Sequence, residues 1–158
     1  MNICIIGGGL TSLSLAQNLI NKKINIHFYH KNKNLLSNRT IGISKNNLEF
    51  FRKEIYKIPK KKFWEIKKIE IYSEKIEKEN LLRFENDKDS LFYMIKNDDL
   101  YKSLINKISK SKNFKKNLID KNSFYSDLLN KTKYDLIINC DSNNFLSRKF
   151  FTKKIDKD

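Results

Sequence analysis

Apolar and polar positions fall into clear rhythms at the start of the chain. Residues 2–6, NICII, hold a short apolar run of the kind that forms a buried strand. From Thr11 to about Asn21, Leu13, Ala16 and Ile20 recur at helical spacing with Leu15 and Leu19 beside them. Ile24, Ile26 and Phe28 then alternate as a second strand. Strand, helix and strand in about 30 residues make a βαβ unit, which predicts a parallel sheet.

Beyond it the rhythm changes. SNRTIGIS (37–44) reads as a loop with one glycine, and Leu48, Phe51 and Ile55 share one face of a helix predicted over Lys45 to Lys57, with Pro59 as its stop. FWEIKKIEIYS (63–73) alternates imperfectly, as a bent or bulged strand would. LLRF (81–84) and LFYMI (91–95) predict further strands separated by polar turns, so a β-rich insertion is expected at about 60–95. Asn97 is placed to cap a helix whose first turn holds Asp98 and Asp99, where the helix dipole favours negative charge. That helix carries Leu100, Leu104, Ile105 and Ile108 and frays near residue 112. After a stretch without clear period, YDLIINC (134–140) reads as a buried strand followed by the loop DSNN. The fold class expected is α/β, a Rossmann-like dinucleotide-binding domain over residues 1–158 with a parallel sheet and a β-rich insertion.

Composition narrows the classes. With 158 residues, 39% of them hydrophobic, the chain suits one domain with a real core and is short for a two-domain enzyme. No run approaches the roughly 18 apolar residues of a membrane span, and the start lacks a signal-peptide pattern, so a soluble cytoplasmic chain is expected. Cys4 and Cys140 lie in apolar runs and read as reduced core thiols. His27 and His30 are the only histidines, and no metal-ligand cluster is visible. The net charge of +15 invites a nucleic-acid reading, but only four of 33 basic residues are arginine and the lysines are spread along the chain. Lys60, Lys61 and Lys62, followed by Phe63 and Trp64, are the exception. They read either as a solvated loop or as a contact with anionic lipid.

Candidate chemistry sits between the first strand and helix. Gly7, Gly8, Gly9 and Ser12 match G-x-G-x-x-G with serine in the last place. The first glycine allows a tight bend, and the second lets backbone amides approach a diphosphate with the helix dipole behind them. The last position packs helix on strand, so a small residue suffices there. A ribose-binding carboxylate is expected about 20 residues on, at the end of the second strand. His30, followed by Lys31, stands there instead, and a neutral imidazole accepts one hydrogen bond where a carboxylate accepts several. An ordinary exposed histidine is the competing reading.

IIGGGLTSLSLAQNL, NRTIGIS, NDDLYKSL and YDLIINCDSNNFLSR occur in an order and spacing that resembles the FAD-dependent aromatic hydroxylases, in particular the ubiquinone-biosynthesis monooxygenases. The resemblance covers most of this chain and only the N-terminal part of such an enzyme. It implies that Gly7, Gly9, Leu10, Thr11 and Ser12 hold the FAD diphosphate, and that Arg39 and Thr40, opening the stretch RTIGIS, lie near the flavin. The family's G-A-D-G-x-x-S-x-x-R motif falls on residues 139–148 and implies a cofactor role for Asp141. Asp141 and Arg148 match that motif, whereas its glycines are Asn139 and Ser142 here and its serine is Phe145. Asp98 stands where the family has a cofactor-touching arginine.

Such enzymes use NAD(P)H to reduce FAD, which activates O2 to hydroxylate an aromatic ring. The resemblance therefore implies FAD, NAD(P)H, O2 and a small aromatic substrate, here a lipid-tailed polyprenylated phenol, with peripheral membrane or biosynthetic-complex contact. The cofactor carries the chemistry, and no catalytic residue is assigned. The chain ends at FFTKKIDKD, so it is expected to be either a fragment of a longer reading frame or a shortened relative. Two other classes stay open: a nucleotide-binding fold that has lost its flavin, and a basic surface or nucleic-acid binder.

Overall fold

The computed structural model describes residues 1–31, 39–73, 80–86, 89–119, 123–130 and 133–151. Contacts divide the chain into two compact units, Met1–Leu35 with Tyr101–Asp158, and Leu36–Leu100. No helix among the described residues is long and apolar enough to cross a membrane.

The first unit is built on a four-stranded parallel sheet. Its strands are β1 (Asn2–Ile6), β2 (Asn25–His30), β8 (Phe114–Leu118) and β9 (Leu136–Asn139), in the order β8-β2-β1-β9. The predicted βαβ unit is present, with helix α1 (Leu10–Asn21) joining β1 to β2. Strand β1 lies between two neighbours, which explains its unbroken apolar run: Cys4, Ile5 and Ile6 have no solvent exposure and Ile3 has almost none. Cys4 and Ile6 pack with Ile119, Tyr125, Leu128 and Leu146, all four from beyond the insertion. Burial pushes the Cys4 thiol up to about 12, so it stays protonated. Cys140 is likewise free, half-buried and raised by burial.

Three features of this unit differ from the pattern. The stretch without period contains β8 and helix α4 (Ser123–Asn130). Strand β8 is an edge with Lys115 and Lys116 exposed, a composition that protects an edge and conceals it from pattern reading. Strand β9, expected to be buried, is the opposite edge, so Leu136 is half-exposed. After the DSNN loop the chain turns into a short helix α5 (Phe145–Phe151).

The second unit holds two small antiparallel arrays. Strands β3 (Thr40–Ser44), β7 (Phe92–Lys96) and β4 (Trp64–Ile66) form one in the order β3-β7-β4, and β5 (Lys68–Tyr72) pairs with β6 (Asn80–Glu85) in the other. The RTIGIS stretch is thus a strand, not a loop: Ile41 and Ile43 pair with Ile95 and Tyr93, and the bare Gly42 sits against the Phe92 ring. The bent strand of residues 63–73 is two strands, β4 and β5, belonging to different arrays. Polar turns expected between the later strands fall on 74–79 and 87–88, outside the described residues.

Helix α2 (Lys45–Phe50) is capped by the Ser44 hydroxyl, which accepts from the Asn47 N–H, and ends sooner than its pattern predicts. At Phe51–Ile55 it widens into a π turn, closed by the Tyr56 N–H donating to the Phe51 carbonyl five residues back. Tyr56 is extended, so the helix stops before Pro59 has any part in it. Helix α3 (Asn97–Ile108) follows β7 as expected and buries Leu100, Leu104 and Ile108.

Candidate functional site

The parallel sheet dictates where a site can form. The chain leaves β1 toward β2 and β8, then returns to place β9 on the other side of β1. The loops after β1 and β9 therefore flank a switch point at the carboxyl ends of the strands, where open α/β sheets bind ligands. Gly7, Gly8, Gly9 and the start of α1 come from β1, His30 and Lys31 end β2, and Asp141 follows β9. The structure thus brings nine of the sequence-predicted residues to this edge: Gly7, Gly8, Gly9, Leu10, Thr11, Ser12, His30, Lys31 and Asp141. Arg39 and Thr40 belong to the second unit, where the Arg39 carbonyl accepts from the Asn97 N–H and Thr40 opens β3 opposite Lys96.

The glycines divide by what surrounds them. Gly7 is buried at φ +130°, a backbone region that favours glycine, and its N–H donates to the Tyr29 carbonyl at 2.8 Å. A Cβ at Gly7 would meet the Cys140 carbonyl carbon at 3.2 Å, so β1 and β9 can diverge this closely only over a bare backbone. Gly9 is the N-cap of α1 in an ordinary extended conformation, and a Cβ there would meet nothing within 4 Å. Fold packing does not require glycine at Gly9.

The helix start beside it is open. No side chain caps α1 and its first turn has no acidic residue. The first intrahelical bond runs from the Leu13 N–H to the Gly9 carbonyl at 3.1 Å, so the preceding amides have no place in the helix ladder. Ser12 is fully buried and its hydroxyl donates to the Gly9 carbonyl at 2.7 Å. It shapes the turn from within and leaves the exposed side to backbone amides.

His30 has a defined polarity. Its Nδ1 lies 3.1 Å from the Lys31 carbonyl, an acceptor, so Nδ1 carries the proton and Nε2 of the neutral ring is left as an acceptor. Burial lowers its pKa, a shift that the Lys31 carbonyl opposes and the charge of Lys116 adds to. A neutral ring with a free acceptor can take a hydroxyl proton donor such as a ribose. Lys31 reaches over the Tyr125 ring, 5.9 Å from its centroid.

On the far side, Asn139, which stands at one of the glycine positions of the resembled motif, anchors a network. The Asn139 and Asn144 side-chain amides bond reciprocally, at 2.7 and 3.2 Å, and Asn139 Nδ2 also donates to Ser147 Oγ at 2.8 Å. Asn139 Oδ1 accepts the Asp141 N–H, Asn144 Oδ1 accepts the Ser147 N–H, and Ser147 Oγ donates to the Asp141 carbonyl at 2.6 Å. Asp141 Oδ1 accepts the Asn143 N–H at 3.0 Å. The loop is held by side chains instead of by glycine turns, with Asp141 kept at the sheet edge.

Pattern reading missed Tyr125. Its ring is buried, its hydroxyl finds no hydrogen-bond partner among the described residues, and burial and the nearby Asp141 charge both raise its pKa. Only its aromatic type within SFYSDLL could have signalled it. Asp98 lies in the first turn of α3, where the helix dipole accounts for a carboxylate.

No protein-family model matches the sequence, and no curated protein matches it. Solved structures do match in fold. PqsL of Pseudomonas aeruginosa, solved with 2-aminobenzoylacetate, has a TM-score of 0.62 and 13% identity over 75% of this chain and 33% of its own. The p-nitrophenol 4-monooxygenase PnpA of Pseudomonas putida gives 0.61 and 12% over 73% and 31%. HpxO of Klebsiella pneumoniae, solved with FAD and uric acid, gives 0.59 and 16% over 73% and 30%. The chain thus has the Rossmann-like FAD-binding fold of flavin monooxygenases and spans about a third of the length of these neighbours.

Gly7→Ala should therefore destabilise the fold by roughly 1–3 kcal/mol, the usual cost of a strained backbone position, measured by urea unfolding. His30 and His27 both have lowered pKa values, His27 through burial and then Lys133 and Lys115. The unfolded chain then binds more protons below about pH 6.5, so stability should fall as pH drops through that value toward the folded pKa values. Proton NMR titration should place both midpoints below the ordinary histidine value.

Proposed function

We propose that this chain is the FAD-binding part of a flavoprotein monooxygenase that hydroxylates an aromatic ring. One observation carries the reading: Gly9 is a glycine that the protein's own packing does not require, exposed at an uncapped helix start. Space that a side chain would fill is what a diphosphate needs to reach backbone amides. The fold shared with flavin monooxygenases supports the same cofactor.

In this reading the amides of Gly9, Leu10, Thr11 and Ser12, with Gly8 beside them, hold the diphosphate. His30 Nε2 accepts from the adenosine ribose, Lys31 adds positive charge near the phosphates, and Asp141 stays at the flavin side through the Asn139–Ser147 network. Arg39 and Thr40 contact the flavin, a role resting on the family resemblance. Bound FAD would supply O2 activation and oxygen transfer, with NAD(P)H as reductant. The protein's share is to bind, orient and keep water from the cofactor.

The substrate proposed is a polyprenylated phenol of ubiquinone biosynthesis, again on resemblance. A lipid-tailed substrate accords with peripheral membrane contact at Lys60–Lys62 and Trp64, where the indole is half-exposed beside Lys96.

Incubation with FAD followed by gel filtration should yield a yellow protein with the flavin spectrum. Gly9→Val should elute colourless with its stability to urea lowered by no more than the roughly 1 kcal/mol that valine costs at an N-cap, because its φ of −87° and ψ of 179° suit valine and nothing crowds the site. Full flavin content in Gly9→Val would overturn the cradle, and a colourless wild type would favour a nucleotide-binding fold without flavin.

A further inference from the structure

The β5–β6 ribbon sorts its side chains by face. Directly opposed residues of an antiparallel pair share a face, so the pairs Ile69–Phe84 and Ile71–Leu82 line one side, and Lys68–Glu85 and Glu70–Arg83 the other. The charged side is matched within itself. Lys68 Nζ lies 2.9 Å from Glu70 Oε1, Arg83 lies 4.0 Å from the same oxygen, and Arg83 Nε donates to Glu85 at 2.8 Å. Those two cations and two carboxylates cancel.

The apolar side has no such match. Ile71, Leu82 and Phe84 are 44%, 53% and 49% exposed, and Tyr72 and Leu81 are similarly open where the ladder slips past Ile71. A two-stranded ribbon is marginal in water by itself, and among the described residues no third strand joins it.

We propose that this apolar face is a self-association surface, packing on the same face of a second copy about a two-fold axis. An isologous contact needs one patch that matches itself, and an apolar side does so in its chemistry. The net charge of +15 opposes contact between most surfaces of two copies, whereas the apolar side of the ribbon carries no charge and the four charged side chains behind it sum to zero, so repulsion is least where these sides face each other. An anionic lipid surface fits less well, because the segment between the strands, EKIEKE, carries three carboxylates against two amines. The patch is of the order of a few hundred Å² per copy, against about 800 Å² for a standard interface, so the dimer is a weak one. The inference rests on the ribbon alone and is independent of flavin.

Sedimentation velocity on the full chain without FAD tests it. The mass should rise from one chain to two with concentration. The transition should move to lower concentration as salt is added, because screening removes repulsion between like-charged copies while apolar contact persists. Leu82→Glu and Phe84→Glu should each weaken association by about tenfold or more, with the thermal midpoint unchanged. Phe50→Glu, at an exposed apolar residue of α2, should leave it unaltered. A single-chain mass at every concentration and salt would overturn the proposal, as would a dimer indifferent to both ribbon variants. Flotation with vesicles that Leu82→Glu abolishes, without dimer formation, would assign the face to lipid instead.

Discussion

The close approach of two diverging loops at the end of the parallel sheet governs the rest of the first unit. Strand β1 is buried on both faces and must hand the chain to α1 at the point where β9 arrives beside it. Gly7 makes that possible: it turns at a positive φ with the Cys140 carbonyl pressed where its side chain would be. The amide of Gly7 goes to β2 and the amide of Cys140 to Ile6, so the loops on both sides are tied to the sheet before the helix begins. The uncapped start of α1 and the exposed Gly9 follow from that geometry. A helix end without a side-chain cap or an acidic first turn leaves partial positive charge available to an external anion.

Around this centre, residues that depart from the pattern of the resembled hydroxylases make bonds of their own. Asn139 stands where a glycine belongs, and its amide ties the loop after β9 to Asn144 and Ser147, so that Asp141 is fixed by hydrogen bonds instead of by a tight turn. His30 stands where the resembled pattern has a carboxylate, and its bond to the Lys31 carbonyl leaves one acceptor, on Nε2. A carboxylate would accept from two ribose hydroxyls; one imidazole nitrogen accepts from one. In the proposed reading, the nucleotide grip leans more on the backbone amides of α1 and on Lys31 than it would with a carboxylate present.

The first βαβ unit was legible because its apolar positions are dense and strictly periodic. Strand β3 was not, since two isoleucines around Gly42 are too few to establish alternation, and pairing with β7 decides its conformation. Strand β8 hid behind Lys115 and Lys116, residues chosen to keep an edge solvated. Strand β9 shows the reverse case: an apolar run reads as buried, while its edge position leaves Leu136 half in water. At the site, spacing located the glycines but could not separate Gly7, needed by the fold, from Gly9, which the fold does not need. That distinction depends on Cys140, more than a hundred residues away, and no local pattern contains it.

A backbone amide NMR titration of the chain with ADP, which carries the diphosphate and ribose without the flavin, tests the cradle at the start of α1. Saturable shifts should concentrate at Gly8, Gly9, Leu10, Thr11 and Ser12, accompanied by the His30 ring. Binding that leaves those amides unmoved while other residues respond would contradict it.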